Sequence, residues 1–289
     1  MRRRNEPGPF YRDGSRTSLR WLAESAREVD PTVAARVLAV GITDVGRKRS
    51  HNEDAFAVID DQHLYVVADG MGGHASGEVA SKMAIDTLRE FYESTAQDPE
   101  ATWPYKMDKS RSYEENRLIT GIRLANLRIF EAQQKDPKLH GMGTTIVALV
   151  PIDEGVLVAH VGDSRIYRLR QGKLEQLTED HSLINDYIKM KKLTKEEIEN
   201  FRYKNVIVRA LGMKESVKVD TSLDRPEPGD TYILCSDGLC GPVSDEDIER
   251  IAASTPDIKE AAQKLIDAAN AAGGPDNVTV VMVKVIGIG

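Results

Sequence analysis

Only two cysteines, Cys235 and Cys240, occur in the 289 residues. That excludes a disulfide framework as the source of stability, and a reducing compartment is expected. Long apolar runs are missing too: none approaches the roughly 20 residues that span a bilayer, so no membrane span is expected. The stretch MRRRNEPGPFYRDGSR is basic but lacks the apolar segment of a secretory leader. A cytoplasmic protein is therefore expected. Positive charge is in deficit, with a formal net charge of -7 and a pI near 5.5. Sequence-independent binding of nucleic acid depends on cationic neutralisation of phosphates, so no nucleic-acid partner is expected. Internal repeats are absent. What remains is an ordinary globular composition, long enough to bury a sizeable core.

Residues 1–36 read as a basic tail, rich at first in Arg, Gly and Pro, with a weak helical pattern over 21–36 that suits a docking helix. The folded domain is expected over 37–289. Strand-like runs recur there, at 55–59, 64–68, 144–150, 156–161, 165–169, 231–235 and 278–285. Short polar or glycine turns join several of them, as in LVPIDEGVLVAH and VGDSRIYRLRQGKLEQL, which favours antiparallel hairpins over crossover units. Helical periodicity marks 76–93 and 111–134, the second with Leu118, Ile122, Ala125 and Ile129 on one face. Ser244, with Asp247 three residues on, caps another helix, and a last one over 257–272 stops at Gly273 and Gly274. This order argues for an α+β sandwich of antiparallel sheets covered by helices. Two stretches read as insertions: polar 97–110, and strongly charged 185–204 with a capping box at Thr194 to Glu197.

Acidic residues recur at the ends of the strand-like runs. Asn52-Glu53-Asp54 precedes one; Asp69-Gly70 and Asp237-Gly238 end two others; Pro275-Asp276-Asn277 begins the last; and Asp163 stands at a fifth strand end. Any one of these alone is an ordinary turn. Several hard oxygen donors at one sheet edge would instead suit Mg²⁺ or Mn²⁺, which take carboxylates, carbonyls and water. Gly70 to Ala75 also fits a dinucleotide-binding fingerprint. Asp69, however, would repel a pyrophosphate at the turn, and no acidic residue follows at the end of a second strand as that site requires. The metal reading is preferred.

VGRKRSHNEDAF, VVADGMGGHASGEVAS, GMGTTIVAL, HVGDSRIYRL, LTEDHSL, IVRALG, CSDGL and GGPDNVTVV follow one another in this chain. In kind and order they resemble the metal-dependent protein phosphatases of the PP2C (PPM) family, especially bacterial serine/threonine phosphatases that oppose Hanks-type kinases. The resemblance spans about residues 38–285. It implies a central β-sandwich of two antiparallel sheets flanked by helix pairs, and a centre of two Mn²⁺ or Mg²⁺ ions at one end. It further implies that Asp69 bridges the ions, that the Gly70 carbonyl binds one, and that Asp237 and Asp276 complete the other. Glu53 and Asp54 would act on metal-bound waters, Arg49 would bind the substrate phosphate, and Asp163 would hold a third, weaker ion. Residues 182–205 correspond to a flap beside the site. Hydrolysis of phosphomonoesters by water bridging the metals is implied, with phosphorylated proteins and their kinases as partners and a monomeric state. A pseudophosphatase that binds phosphoproteins without turnover is the alternative.

Rival phosphatase chemistries fail on the residues. A cysteine nucleophile needs an arginine about six residues on, but Gly241 follows Cys235 and Glu246 follows Cys240 at that spacing. No D-x-D-x-[T/V] run is present for a phospho-aspartyl route. His51 and His181 are expected to have structural roles, and Thr144 and Thr145 to support the site. Many eukaryotic members carry a histidine directly after the Asp-Gly pair; here that residue is Met71, which has no proton to donate. His74 is then one candidate acid, and metal-bound water, the expected one, is the other.

Overall fold

The computed structural model describes residues 35–72, 76–98, 102–191 and 206–288. Two antiparallel sheets lie at its centre. The first has the order β1 (Ala35–Asp44), β11 (Val278–Ile288), β10 (Thr231–Cys235), β7 (Arg165–Arg170), β8 (Lys173–Gln176). The second runs β2 (Asp54–Ile59), β3 (Leu64–Met71), β5 (Ile146–Ile152), β6 (Gly155–Val161), β9 (Asp220–Asp224), with short β4 (Gly143–Thr144) paired to β3. Helices α1 (Ser76–Gln97) and α2 (Tyr113–Lys135) cover the second sheet. Helices α5 (Asp245–Ser254) and α6 (Ile258–Ala271) cover the first. The α+β sandwich read from the sequence is the observed architecture.

Alternation along the strands explains the four layers. In β3, Leu64, Val66 and Ala68 pack under α1 and α2, whereas Tyr65 and Val67 point between the sheets. In β11, Val278, Val280 and Met282 face α6, and Val281, Val283 and Val285 face the other sheet. Successive side chains point to opposite faces, so strands covered on both sides must be apolar throughout. These are the runs visible in the sequence. Leu118, Ile122, Ala125 and Ile129 all lie fully buried along α2. The caps hold as well: Ser112, Ser244 and Asp257 accept from the backbone amides of Glu115, Asp247 and Glu260.

Some expectations need correction. Ala35 and Arg36, placed in the tail and its helical pattern, belong to β1, where they pair with Ile288 and Gly287. Strand β9 went unread because it lies at a sheet edge and carries polar residues on its open side, whereas β8 is the second arm of the hairpin read in VGDSRIYRLRQGKLEQL. The polar stretch 97–110 is anchored where it is described: Trp103 packs edge-on against Phe91 at 5.6 Å and against Tyr113 at 5.1 Å. Residues 1–34 of the tail, His74 and residues 192–205 of the expected flap, with its capping box, lie outside the described residues.

Candidate active site

All five acidic signals come to one end of the sandwich. Asp54 and Asp69 sit directly opposite each other in the β2–β3 register. Asp237 opens α4 (Asp237–Cys240), a single helical turn that follows β10. Asp276 stands just before β11, and Asp163 in the turn between β6 and β7. Asp163, Asp237 and Asp276 line a cleft of about 570 Å³ together with Arg165, Asp180 and Ile188, the last from α3 (Leu183–Lys191). Asp69 feels the charges of Asp54, Asp237, Asp163 and Asp276, so the carboxylates form one electrostatic cluster.

Backbone pairing and small polar side chains fix the acids. The Asp69 carbonyl accepts from the Thr145 amide at 2.8 Å and the Thr144 hydroxyl at 2.9 Å, while its amide donates to Thr145 Oγ1. Ser164 Oγ lies 2.7 Å from that Thr145 hydroxyl. Thr144 and Thr145 thus support the site, as expected. Ser236 and Thr279 each donate a hydroxyl to Asp54 Oδ2 at 2.7 Å. Asn277 ties the loop before β2 to the start of β11: its Oδ1 accepts from the Glu53 amide, and its Nδ2 donates to the carbonyls of Val45 and His51. Gly70 allows close approach, since a Cβ there would lie 2.2 Å from the Gly77 carbonyl oxygen and 2.5 Å from that of Glu53.

Burial of so much negative charge has measurable consequences. Desolvation, then repulsion from Asp237 and Asp276, pushes the Asp54 carboxyl up to about 7, even though its two hydroxyl partners favour the charged form. Desolvation, then Asp237 and Asp180, pushes Asp163 up to about 7. Asp69 and Asp237 are raised as well, chiefly by desolvation. Among the described residues, three buried carboxylate oxygens, Glu53 Oε1, Asp54 Oδ1 and Asp163 Oδ1, accept no hydrogen bond, and only the first has a basic group nearby, His51 Nε2 at 3.5 Å. Such atoms are costly unless something cationic meets them, and an all-oxygen set of this kind matches hard divalent cations. The donor chemistry fits the Mn²⁺ or Mg²⁺ expected from the sequence.

Cationic partners divide the roles further. Arg49, half-exposed, donates Nη2 to Asp276 Oδ2 at 2.7 Å, which brings a guanidinium to the rim of the acid cluster. Arg165 grips Asp180 by a fork, Nε to Oδ1 at 3.0 Å and Nη2 to Oδ2 at 2.7 Å. Sequence reasoning missed Arg165, Ser236 and Thr279; the adjacency of Arg165 to Asp163 and of Ser236 to Asp237 was the available signal.

A second group, His160, His181 and Asp220, brings its ligand atoms within 4.8 Å of one another. Arg209 Nη1 already lies 2.9 Å from His181 Nε2 and 2.8 Å from Asp220 Oδ2, and Lys218 reaches Asp220 at 2.9 Å. A further cation would meet two positive charges there, so this is a structural network. It positions the turn that bears Asp163: His181 Nδ1 accepts from the Gly162 amide, and the His181 amide donates to the Gly162 carbonyl.

Burial and the stacked His160 hold the His181 imidazole down to about 4, against the pull of its bond to Asp220. In the unfolded chain the value is about 6.5. A folded value below the unfolded one contributes stability that is complete above about 6.5 and is lost as pH falls through about 4. The raised carboxylates have the opposite slope, so a comparison with His181→Gln isolates the histidine. Urea unfolding across this range should show a shallower loss of stability toward acid in the variant than in the parent; equal slopes would remove His181 from the pH response.

The comparisons with known proteins agree with this geometry. The family model described as protein phosphatase 2C matches residues 45–274. The serine/threonine phosphatase stp of Listeria monocytogenes is 40% identical over 250 residues, covering 84% of this chain and 93% of the relative. The crystal structure of Mycobacterium tuberculosis serine/threonine phosphatase PstP/Ppp matches at a TM-score of 0.75 and 35% identity, over 86% of this chain and 99% of the other. A structure of the PstP catalytic domain in complex with two manganese ions matches at a TM-score of 0.70 and 35% identity, over 86% and 98%. With the matched family model covering every acidic signal except the Asp276 loop, and whole-domain likeness beyond it, the chain belongs to the protein phosphatase 2C family.

Proposed function

We propose that the protein is a metal-dependent serine/threonine protein phosphatase, which hydrolyses phosphomonoesters on phosphorylated proteins. The observation that carries this reading is the set of buried carboxylate oxygens that accept no hydrogen bond, beside an exposed arginine. Asp69, Asp237, Asp276 and the Gly70 carbonyl are the proposed ligands of two Mn²⁺ or Mg²⁺ ions, with Asp163 toward a third and weaker one. When bound, such ions ionise water near neutral pH and neutralise charge on the phosphoryl oxygens. Asp54 is held at Oδ2 by two hydroxyls, which leaves Oδ1 as the atom that takes a proton from the attacking water. The Glu53 carboxylate, whose Oε1 also lacks a hydrogen bond, orients water from the next position along the chain. Arg49 supplies a planar fork for the phosphoryl oxygens.

Arg49 also shares Asp276 with the proposed metals. Arg49→Ala should therefore lower kcat/KM on a phosphoserine peptide by about 10- to 100-fold, the worth of a charge-assisted contact. Calorimetric Mn²⁺ affinity should hold or tighten, because Asp276 loses a competing cation. A parallel fall in metal affinity would show that Arg49 belongs to the metal site.

The proposed partners are phosphoproteins, among them Hanks-type kinases and their substrates, and the proposed state is a monomer. Two free cysteines support a reducing, cytoplasmic setting. Among the described residues no helix is long and apolar enough to cross a membrane. Release of inorganic phosphate from a phosphoserine peptide in the presence of Mn²⁺ tests the assignment. Peptide binding with no release would favour the pseudophosphatase, which the full set of carboxylates speaks against.

A further inference from the structure

Two basic side chains from one loop stand at the rim of the acid cluster. Arg49 meets Asp276 at 2.7 Å, and His51 brings Nε2 to 3.5 Å from Glu53 Oε1. Both are half-exposed, whereas the Glu53 carboxylate beside them is buried. The loop that carries them is fixed along its length. The amides of Arg47 and Lys48 donate to the Gly274 carbonyl, and Asn277 Nδ2 donates to the carbonyls of Val45 and His51. Asn277 Oδ1 accepts from the Glu53 amide, so the backbones of His51 and Glu53 are held by one side chain. Ser50 Oγ lies 3.1 Å from His51 Nδ1 and steadies the ring. Among the described residues Nε2 makes no hydrogen bond, its approach to Glu53 being an ion-pair distance. Nothing in the proposed hydrolysis has yet used this imidazole.

We infer that His51 is the acid that protonates the alkoxide leaving from a phosphoserine substrate; the inference rests on the phosphatase reading. An in-line displacement at phosphorus puts the entering and leaving oxygens on opposite sides. Asp54, which takes the proton of the attacking water, is buried, so the ester oxygen departs outward, toward the rim where Arg49 and His51 stand. The water oxygen bonds to phosphorus as its proton passes to Asp54 Oδ1. The P–O ester bond breaks, its electron pair goes to the seryl oxygen, and the proton on the imidazolium Nε2 passes to that oxygen to give serine. His51 regains a proton from solvent and Asp54 returns its own, so one water is consumed for each ester cleaved.

The chemistry calls for such a group. A seryl alkoxide is a poor leaving group and needs an acid, and imidazole is the side chain that exchanges a proton near neutral pH. Glu53 supplies the counter-charge to the imidazolium at 3.5 Å. Met71 cannot take this part. It follows Gly70, whose amide donates to the Glu53 carbonyl, and its thioether carries no proton. The proton at this mouth therefore comes from the loop before β2 and not from the end of β3.

The test compares the full-length parent with His51→Gln, both supplied with Mn²⁺, on substituted phenyl phosphates of similar size and on a phosphoserine peptide. The substitution is at a half-exposed position and spares the backbone bond from Asn277. Melting temperature and calorimetric Mn²⁺ affinity should match the parent. On the nitrophenyl ester, whose anion leaves unaided, kcat/KM should change little. It should fall further as the leaving phenol becomes more basic, and by about 100-fold on the phosphoserine peptide, the lower end of what an acid contributes. A plot of log kcat/KM against leaving-group pKa should thus be steeper for the variant than for the parent, and His51→Ala should repeat the pattern. Parallel plots would overturn the assignment, because a residue that only shapes the loop or holds the phosphoryl group costs every phenyl ester the same. Unchanged rates on all esters would overturn it too, leaving the proton to bound water. A loss confined to the peptide, with parallel phenyl plots, would make His51 a peptide contact instead of the acid. A parent that releases phosphate from no ester would overturn the phosphatase reading and this role together; an active parent with parallel plots overturns the role alone.

Discussion

Asp237→Asn should lower kcat on a phosphoserine peptide by at least about 100-fold and leave the protein folded. Asp276→Asn should do the same. The size of the effect follows from what each carboxylate does in the cluster. Asp237 is desolvated and repelled by Asp276, so in metal-free protein its charge is a burden on the fold. The amide removes that burden, and the metal-free melting temperature should hold or rise. With metal present the comparison reverses. An ion at 100 times its dissociation constant stabilises the folded state by about 2.7 kcal/mol, and the variant should lose most of the rise in melting temperature that Mn²⁺ produces in the parent. Two opposite signs from one substitution separate a ligand from a structural acid. Undiminished turnover in either variant would remove that residue from the site.

The second large effect is expected at a residue with no side chain. Gly70→Ala should cost about 3 kcal/mol, the upper range for forcing extra volume into a close-packed position. For a domain of this size that lowers the melting temperature by about 6–12 °C. The added methyl would collide with two backbone carbonyls, of Gly77 and Glu53, and neither can turn aside as a flexible side chain could. Relief requires the start of α1 or the loop before β2 to move; the loop carries Glu53, and Gly77 at the start of α1 packs closely on the Glu53 carboxylate. Turnover should fall with stability even though the Gly70 carbonyl is retained. Differential scanning calorimetry with a phosphate-release assay checks both; parental stability would mean that the close approach has slack.

The two predictions also mark how far the sequence could be read. Asp69-Gly70, Asp237-Gly238 and Pro275-Asp276-Asn277 were legible because each joins a carboxylate to a turn signal at the end of an apolar run. The layers were legible because strands buried on both faces are largely apolar, as β3 is up to Ala68 and β11 is apart from Thr279 and Lys284. The partners of Asp54 were not legible. Ser236 and Thr279 stand 182 and 225 residues away along the chain, and only the β10–β11 pairing brings their hydroxyls to one oxygen. Nor could the sequence explain why position 70 is glycine, since the crowding by Gly77 and Glu53 is a tertiary fact. The fork of Arg165 on Asp180 is another, since hairpin pairing of β7 and β8 folds the chain back between them.

The central claim is that the carboxylate cluster hydrolyses phosphoesters only when it holds divalent metal. The most direct test follows phosphate release from a phosphoserine peptide as Mn²⁺ is titrated into protein stripped with EDTA. Release should be at background in the chelator and should rise in step with calorimetric occupancy of the site. Undiminished release in excess EDTA would contradict the account.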